Sequence, residues 1–290
     1  MKWGQAPFAG KRCRTWLAIA ALGGALAAQA APPASDFFDD FEKHAPGQVP
    51  GPPWKEETYK SGAIIRVDGQ HAFSGKQAMH VTTPRGANYR RGYMAIHLHG
   101  PLPQLQSGMF GRTMVWLDEA PQPPVVVYPG EKPAEPIAPV VHWTLLQGEG
   151  RSADDRYNSI YRLGLEQRNG TQFMANFETT PPVTTDCRQQ SKRTLPVRRW
   201  ACVEWHFDIA SNEMQFWIDG RRITRVQDRA AANSCRGADL GGQWLAPPRF
   251  DSLYMGFERY GDSANDQDLW IDDVTLSRQR LGCPVSKERQ

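Results

Sequence analysis

The sequence predicts an all-β protein, an antiparallel β-sandwich of the jelly-roll type. Residues 252–260 and 268–276 alternate side-chain character with the period of two that is typical of strands. About ten short segments of this kind are separated by connections that contain Gly and Pro. No long segment shows the 3.6-residue period of a helix. We therefore expect two stacked sheets around one core.

The first thirty residues predict an export signal. Basic residues precede a small apolar stretch, and Ala-Gln-Ala at 28–30 is a typical cleavage site. The apolar stretch is short for a bilayer span, although an uncleaved anchor is the alternative. The predicted organisation is a signal peptide at 1–30, a tether at 31–36 and a single β-domain at 37–285. We expect a secreted or periplasmic protein.

Cleavage would leave a nearly neutral chain. The whole chain has 34 basic and 31 acidic residues, and the first thirty residues hold four basic and no acidic ones, so 34 − 4 = 30 basic residues face 31 acidic ones. This charge balance excludes a strongly basic surface of the kind that binds nucleic acid. We expect no nucleic-acid partner, no membrane contact after cleavage, and a monomer.

Four cysteines would remain after Cys13 leaves with the signal peptide. An even number in an exported chain predicts two disulfides, and three pairings are open. None has the paired CxxC spacing of a zinc site. The four are Cys187, Cys202, Cys235 and Cys283.

The strand-like segments follow one another along the domain. They are residues 37–42, 64–68, 78–82, 93–99, 112–116, 140–147, 161–167, 171–177, 201–209, 213–218, 252–260 and 268–276. Residues 168–170, Arg-Asn-Gly, predict a hairpin turn. Residues 47–54, 187–199 and 230–248 read as loops. The proline-rich segment 121–139 interrupts the pattern, either as a lid over a cleft or as an ordinary surface loop.

Strand parity groups the candidate site residues on shared faces. The groups are His142 with Thr144, then Arg162 with Gly164 and Glu166, then Gly256 with Glu258 and Tyr260. If these strands are neighbours, their polar faces form one concave surface. Gln147 is expected on the face opposite His142, and Trp217, at a polar position, would offer a platform for sugar rings. The alternative for each residue is an ordinary solvated surface.

Other chemical motifs are weaker or absent. His97 and His99 share a strand face and could bind a metal, but no third ligand is identifiable. The alternative is that both are ordinary polar residues of the strand. The chain has no Glu-x-Asp-x-Glu strand of retaining glucanases, no Gly-x-Ser-x-Gly elbow and no P-loop. Asp272 and Asp273 interrupt an apolar strand, which calls for a neighbouring cation or arginine.

Several blocks, in order, carry a family resemblance. They are residues 39–42, 74–79, 202–220, 256–260 and 270–283. On these blocks the chain resembles the core domain of the secreted cellulose-induced proteins, which are related in fold to glucuronan and alginate lyases. The resemblance implies a concanavalin A-like jelly roll and a polysaccharide partner.

The resemblance also implies a structural calcium ion and one disulfide. The positions that match the family's calcium ligands are Glu42, Ser74, Gln77 and Asp272, and hard oxygen ligands suit calcium. Gln77 stands where the family usually has asparagine. The family's disulfide matches Cys202 and Cys283, which leaves Cys187 to pair with Cys235.

Some relatives cleave polyuronates by β-elimination, which removes the proton at C5 and expels the oxygen at C4. The reaction needs a group that neutralises the uronate carboxylate, a base and an acid. The resemblance implies that Arg162 binds the carboxylate, that Tyr260 transfers the proton and that His142 acts as a base or polarising group. The expected substrate contacts are Glu166, Trp217, Glu258 and His206.

We therefore expect a polysaccharide-active protein, a glucuronan-type polyuronate lyase. A carboxylate at Glu166 would repel an anionic substrate, which puts activity in question more than fold. The first alternative is a non-catalytic carbohydrate-binding protein that uses Trp217 and the same cleft. The second is a structural envelope protein with no sugar ligand.

Overall fold

The structure is a computed structural model. It describes residues 1, 35–59, 61–86, 89–122, 142–152, 154, 156–167, 171–180, 185–227 and 245–284, with the backbone alone at 167, 185–187 and 226–227. The predicted signal peptide, most of the tether, most of the proline-rich segment and Cys235 lie outside these residues. Residues 33–290 form one compact unit.

Two antiparallel sheets make up the described part of the domain. The strands are β1 (Phe37–Asp39), β2 (Trp54–Glu57), β3 (Ile64–Asp68), β4 (Ala78–Thr83), β5 (Arg90–His97), β6 (Gly108–Leu117), β7 (His142–Arg151), β8 (Asn158–Gln167), β9 (Thr171–Thr180), β10 (Thr185–Thr194), β11 (Ala201–Asp208), β12 (Glu213–Ile218), β13 (Arg221–Gln227), β14 (Ser252–Arg259) and β15 (Gln267–Ser277). The eight-stranded sheet has the order β13-β12-β11-β6-β15-β4-β3, with β1 paired to β15. The seven-stranded sheet has the order β10-β9-β8-β7-β14-β5-β2. The predicted sandwich of jelly-roll type is confirmed.

In most strands, alternate residues point into a core between the two sheets. Tyr161 of the seven-stranded sheet meets Phe207 of the eight-stranded sheet, with ring centroids 5.6 Å apart, and Phe250 lies 5.7 Å from Phe207. All three rings are fully buried. Because side chains alternate across a strand, the residues between these core positions point away from the partner sheet. The outward faces of the two sheets are therefore on opposite sides of the domain.

Two strands, β10 and β2, lie in segments that the sequence analysis read as loops or left unassigned. Residues 187–199 do not form a basic loop, because β10 extends to Thr194 and pairs with β9. Its sequence, TDCRQQSKRT, has no apolar face to mark it as a strand. β2 lies at the end of a proline-rich loop and has a single buried residue, Trp54. Both strands are held at sheet edges by backbone hydrogen bonds, which the side-chain pattern does not report.

The implied disulfide between Cys202 and Cys283 is present, with sulfur atoms 2.12 Å apart. It attaches the segment after β15 to strand β11. The predicted pairing of Cys187 with Cys235 lies outside the described residues. Within the described part of the chain, no helix has the length and apolar character needed to cross a bilayer.

Candidate functional site

His142, Arg162 and Tyr260 lie together on the outward side of the seven-stranded sheet. We call this side the polar face; its outward residues come from β5, β7, β8, β9 and β14. The rings of His142 and Tyr260 stack with centroids 5.1 Å apart, and the Arg162 guanidinium carbon lies 6.0 Å from the Tyr260 ring. The Tyr260 amide also donates to the carbonyl of His142 at 2.9 Å. An imidazole, a guanidinium and a phenol therefore share one small region.

Glu258 holds the hydroxyl group of Tyr260. The hydroxyl donates to Glu258 Oε2 at 2.5 Å, while the other carboxylate oxygen accepts from Tyr89 and lies 3.1 Å from Arg91. Glu258 is 2 % exposed, and both of its carboxylate oxygens accept hydrogen bonds within the protein. Its carboxylate holds the Tyr260 hydroxyl, and the expectation that it contacts substrate stays a prediction.

Arg91 and Tyr89 are site residues that the sequence analysis missed. Arg91 is buried beside Glu258, and its guanidinium lies over the rings of Tyr59, Tyr93 and Tyr254 at 4.4, 5.0 and 5.2 Å. Burial would lower the pKa of Arg91, but the Glu258 carboxylate raises it above its usual range. The signal that could have found Arg91 is parity, because it lies two residues before Tyr93 at the start of the same strand.

The phenols of this cluster are held in their protonated form. Burial raises the pKa of Tyr260 above the ordinary phenol value of 10.0; Arg162 opposes this rise and Glu258 adds to it. Burial, followed by the charge of Glu258, also raises the pKa of Tyr89. Both hydroxyl groups are therefore proton donors at neutral pH.

Arg162 is fixed by partners on both neighbouring strands. Its Nε donates to Gln147 Oε1 at 3.0 Å, and its NH1 donates to Asn176 Oδ1 at 3.1 Å and contacts Glu178. Burial would lower the pKa of Arg162, but Tyr260 and Glu178 raise it. The guanidinium is therefore charged and oriented, and one carboxylate already contacts it.

The expectation that Gln147 faces away from His142 is wrong. β7 contains a β-bulge: Thr144 pairs with Gly164, but Leu146 pairs with Leu163, so two β7 steps match one β8 step. The extra residue reverses the alternation and turns Gln147 onto the polar face, where it contacts Arg162. Parity alone could not reveal this, because a bulge leaves no reliable mark in the sequence.

Glu166 lies opposite His142 in the register of β7 and β8. Glu166 is 5 % exposed, and its carboxylate accepts a hydrogen bond from Gln190 and lies 3.7 Å from Arg188. Both of these partners come from β10, the unpredicted strand. The negative charge of Glu166 is thus offset by Arg188, which weakens the repulsion of an anionic ligand anticipated from the sequence.

Trp217 and His206 are not part of this cluster. Both belong to the eight-stranded sheet and point outward on the opposite side of the sandwich. Trp217 is 8 % exposed, and the guanidinium carbon of Arg280 lies 4.4 Å from its ring. His206 stacks on Phe110 with centroids 3.9 Å apart. The expectation that they contact substrate beside Tyr260 is wrong, because parity gives the face of a strand but not the sheet that contains it.

The four residues expected to hold calcium form one connected group where β15 meets the start of the domain. Glu42 Oε1 accepts from the amides of Lys76 and Gln77 at 2.7 and 2.9 Å. Gly75 allows this turn: it has φ 63°, and a Cβ there would lie 2.4 Å from the Glu42 carboxyl group. The Gln77 amide nitrogen donates to the carbonyls of Phe41 and His44 at 2.7 and 2.9 Å, which leaves its oxygen as the acceptor end.

Asp272 is the buried carboxylate of this group. It is fully buried and accepts hydrogen bonds from the amides of Phe73 and Ser74 at 2.8 and 3.1 Å. Burial raises the pKa of Asp272 to about 7; the backbone hydrogen bonds oppose this rise and neighbouring Asp273 adds to it. No arginine or lysine in the described residues forms an ion pair with Asp272 or Asp273. The donor set consists of hard oxygen atoms and therefore fits calcium.

Comparison with known proteins confirms the resemblance and the fold. A family model described as polysaccharide-lyase-like, Cip1-like core domain, matches residues 174–279. No sequence among the curated proteins matches. Three solved structures with similar folds are the cellulose-induced protein Cip1 (16% identity, 86% of this chain and 100% of that chain, TM-score 0.54), an endo-β-1,4-glucuronan lyase from the fungus Trichoderma reesei (13%, 85% and 96%, 0.54) and the catalytic domain of an endo-1,3-β-glucanase, a laminarinase, from Thermotoga petrophila (11%, 86% and 100%, 0.50).

Proposed function

We propose that this chain, which resembles the Cip1-like core domains, is an exported polysaccharide-active protein that cleaves polyuronates of the glucuronan type by β-elimination. The observation that carries the proposal is the convergence of His142, Arg162 and Tyr260 on the polar face. A fold similar to that of a glucuronan lyase and a family model of the polysaccharide-lyase-like type support it. The disulfide between Cys202 and Cys283 fits export to an oxidising compartment.

Arg162 would bind the carboxylate of the uronate whose C5 proton is removed. Its charge is retained because neighbouring groups raise its pKa, and its orientation is fixed by Gln147 and Asn176. A guanidinium binds carboxylates through two parallel hydrogen bonds. Neutralising the carboxylate stabilises the negative charge that develops at C5 when the proton leaves.

The stacked residues His142 and Tyr260 would carry out the two proton transfers of the reaction. The His142 imidazole takes the C5 proton, and the electrons of the C5–H bond form the C4–C5 double bond as the bond from C4 to its oxygen breaks. Tyr260 donates its hydroxyl proton to the departing oxygen, because its raised pKa keeps it protonated until then. Proton exchange with water restores both groups. Cleavage gives two shorter chains: one has an unsaturated sugar at its new end, and the other has a saturated sugar at its new end.

The test of this function is an assay with uronate-containing polymers. We expect the protein to release an unsaturated product, measured as new ultraviolet absorbance, from glucuronan. Alginate and pectate serve as alternative substrates, and a neutral glucan is the control. Absence of signal with all three uronate polymers would exclude the lyase assignment.

Gly164→Ala is expected to reduce turnover while preserving stability. A Cβ at Gly164 would lie 3.2 Å from His142 Nε2 and 2.9 Å from Met174 Cε, so the imidazole must shift by a few tenths of an ångström. Since catalysis is sensitive to such displacements, we expect about a tenfold lower kcat. The melting temperature should change little, because the flexible methionine end can move.

Gly100→Ala is the matched control, because nothing lies within 4 Å of a Cβ at Gly100. It should leave both kcat and melting temperature unchanged. An unchanged kcat in Gly164→Ala would contradict the role of His142.

A second candidate function is carbohydrate binding without turnover. The observation in its favour is the contact between Arg162 and Glu178, since one carboxylate already occupies part of the guanidinium. Such a protein would bind oligouronates and release no unsaturated product. Calorimetric binding together with the absorbance assay separates the two functions.

We also propose that a calcium ion lies between Glu42, Ser74, Gln77 and Asp272. When bound, the ion would keep the buried Asp272 charged and connect the β15 strand to the turn that contains Gly75. Its function would be structural, because these residues are not on the polar face.

Removal of calcium is expected to lower stability. Treatment with a chelator should decrease the melting temperature by several degrees, since the buried carboxylate would lose its counter-charge. Added calcium should restore it, and magnesium should restore less because it demands a tighter octahedral shell. Asp272→Asn should abolish the response to calcium. An identical melting temperature with and without calcium would contradict the site.

A further inference from the structure

Three exposed tyrosines lie together at one end of the polar face. Among the residues that the structure describes, four Phe, Tyr or Trp side chains are exposed to solvent. Three of them, Tyr59 (63 %), Tyr260 (40 %) and Tyr89 (37 %), contact the buried ion pair at the start of β5. The fourth, Phe38, belongs to β1 in the eight-stranded sheet. Exposed rings that cluster in this way are typical of a binding surface.

Tyr59 is held in place by Arg91 and by its own loop. The Arg91 guanidinium carbon lies 4.4 Å from the ring centroid, and Arg91 is itself fixed by Glu258. The Ser61 hydroxyl donates to the carbonyl of Arg91 at 2.8 Å and accepts from the Arg91 amide at 2.9 Å. The Ser61 amide donates to the carbonyl of Thr58 at 3.0 Å, which closes the chain around Tyr59. The ring is therefore positioned before a ligand binds.

One face of the Tyr59 ring is available to a ligand. Arg91 covers the other face, and yet the residue is more exposed than Tyr89 or Tyr260. The backbone of Tyr59 has φ 47°, in the left-handed region that bulky residues rarely adopt. Residues kept in such conformations cluster at binding and catalytic sites. An exposed ring that the fold holds in a strained conformation points to a ligand.

Tyr59 lies two strands away from the hydroxyl that would donate the proton. In the seven-stranded sheet, β2 is followed by β5 and then by β14, and neighbouring strands are about 4.8 Å apart. Arg91 of β5 contacts Tyr59 on one side and pairs with Glu258 of β14 on the other, and Glu258 holds the Tyr260 hydroxyl. Tyr59 is therefore roughly 10 Å from that hydroxyl, across the strands. A chain of a few sugars can contact both.

The charges around Tyr59 are paired with one another. Arg91 NH1 lies 3.1 Å from the Glu258 carboxylate, and Glu57, two residues before Tyr59, lies 3.0 Å from Lys55. What the loop offers to a ligand is therefore the surface of the ring. The C–H face of a pyranose packs on an aromatic ring whether or not the sugar carries a charge.

We propose that Tyr59 forms a stacking subsite for one pyranose ring of the substrate, further along the chain than the sugar that reacts. This inference rests on the proposed function, because it takes the ligand to be a polysaccharide. It also deepens that function. The reacting sugar must carry the carboxylate that Arg162 binds, whereas the sugar on Tyr59 needs only its ring. The substrate class therefore includes chains in which a uronate adjoins a neutral sugar.

The test measures binding of a glucuronan oligosaccharide by calorimetry in a Tyr260→Phe background, and KM and kcat in the protein that retains Tyr260. Tyr59→Ala should weaken binding and raise KM about tenfold, because the stacking contact is lost. The change in kcat should stay within about twofold, since the bound substrate and the transition state share this contact. Tyr59→Phe keeps the ring and should restore the affinity. Phe38→Ala, which removes an exposed ring from the other sheet, is the matched control and should change none of these values.

Two further measurements separate stacking from a purely structural role. Tyr59→Leu still packs on Arg91 but has no flat face, so it should weaken binding as Tyr59→Ala does and keep the melting temperature. It also serves as the test should Tyr59→Ala fold poorly. The loss of affinity should be the same at low and high salt, because salt screens charges and not stacking. A loss that disappears at high salt would show that Tyr59 acts through the charge of Arg91 and would overturn the inference.

The remaining outcomes separate this inference from the proposed function. Equal affinities of Tyr59→Ala and its parent would overturn the inference and leave the lyase proposal intact. An equal loss in Tyr59→Phe would assign binding to the hydroxyl and would also overturn it, as would a lower kcat with an unchanged KM. If the oligosaccharide binds without being cleaved, the lyase proposal fails and the binding measurements still decide the subsite. If it does not bind the background protein, both fail.

Discussion

Tyr260→Phe is expected to lower the rate of polyuronate cleavage by about 10²–10⁴-fold, the usual contribution of a positioned proton donor. The substitution removes only the hydroxyl that donates to Glu258, and the ring that stacks on His142 remains. Binding of oligouronates should therefore persist. The assay is release of unsaturated product, and calorimetry measures the retained affinity.

Tyr89→Phe is the matched control for this result. Tyr89 donates to the same Glu258 carboxylate, and its ring lies 5.6 Å from that of Tyr260, but it does not stack on His142. We expect less than a tenfold loss of rate. Equal losses in the two variants would show that the hydroxyl groups act only on Glu258, and Tyr260 would not be the proton donor.

The pH profile gives a further check on Tyr260. Because its pKa is raised above 10.0, the hydroxyl keeps its proton from neutrality up to at least that pH. The rate should therefore show no alkaline decline from this group below pH 10.0. A decline at lower pH that Tyr260→Phe removes would contradict the assignment.

Arg91→Met is expected to cost about 3–5 kcal/mol in the free energy of unfolding, the range for removing one partner of a buried ion pair. Arg91 and Glu258 are both almost fully buried, with 3.1 Å between NH1 and Oε1. Methionine has a similar length but leaves the Glu258 charge without its cation. Chemical denaturation of the two proteins measures the difference.

Two comparisons make the Arg91 result specific. The double variant Arg91→Met with Glu258→Gln should recover most of the loss, because no buried charge remains. The exposed pair of Arg199 and Asp219 provides the contrast, and Arg199→Met should cost less than about 1 kcal/mol. A cost below about 1 kcal/mol for Arg91→Met would mean that water or another group compensates Glu258.

Alternation was sufficient to predict the central strands. β11, β12, β14 and β15 each bury one apolar row in the core, and their bounds are close to those expected from the sequence. The same alternation grouped Arg162 with Glu166 and Glu258 with Tyr260. Parity works here because a regular strand turns successive side chains to opposite faces.

The remaining features depend on information that a single strand does not carry. Gln147 reaches the polar face only through the bulge in β7, and Glu166 is offset by Arg188 only because polar β10 joins the sheet edge. Trp217 is covered by Arg280, which is distant in the chain. In each case the decisive partner lies on another element, so local patterning could give the residue type but not its surroundings.

The position of β15 has a consequence for how this protein is made. It lies between β6 and β4 in the eight-stranded sheet, and β1 also pairs with it. Until β15 is synthesised, β3 and β4 have no hydrogen-bonded connection to β6 and the strands beyond it. Completion of the sheet must then wait for the last strand, and such long-range pairing is slow to form. A nascent chain therefore holds two separate groups of strands, and these can join into one sheet only after β15 has emerged from the ribosome.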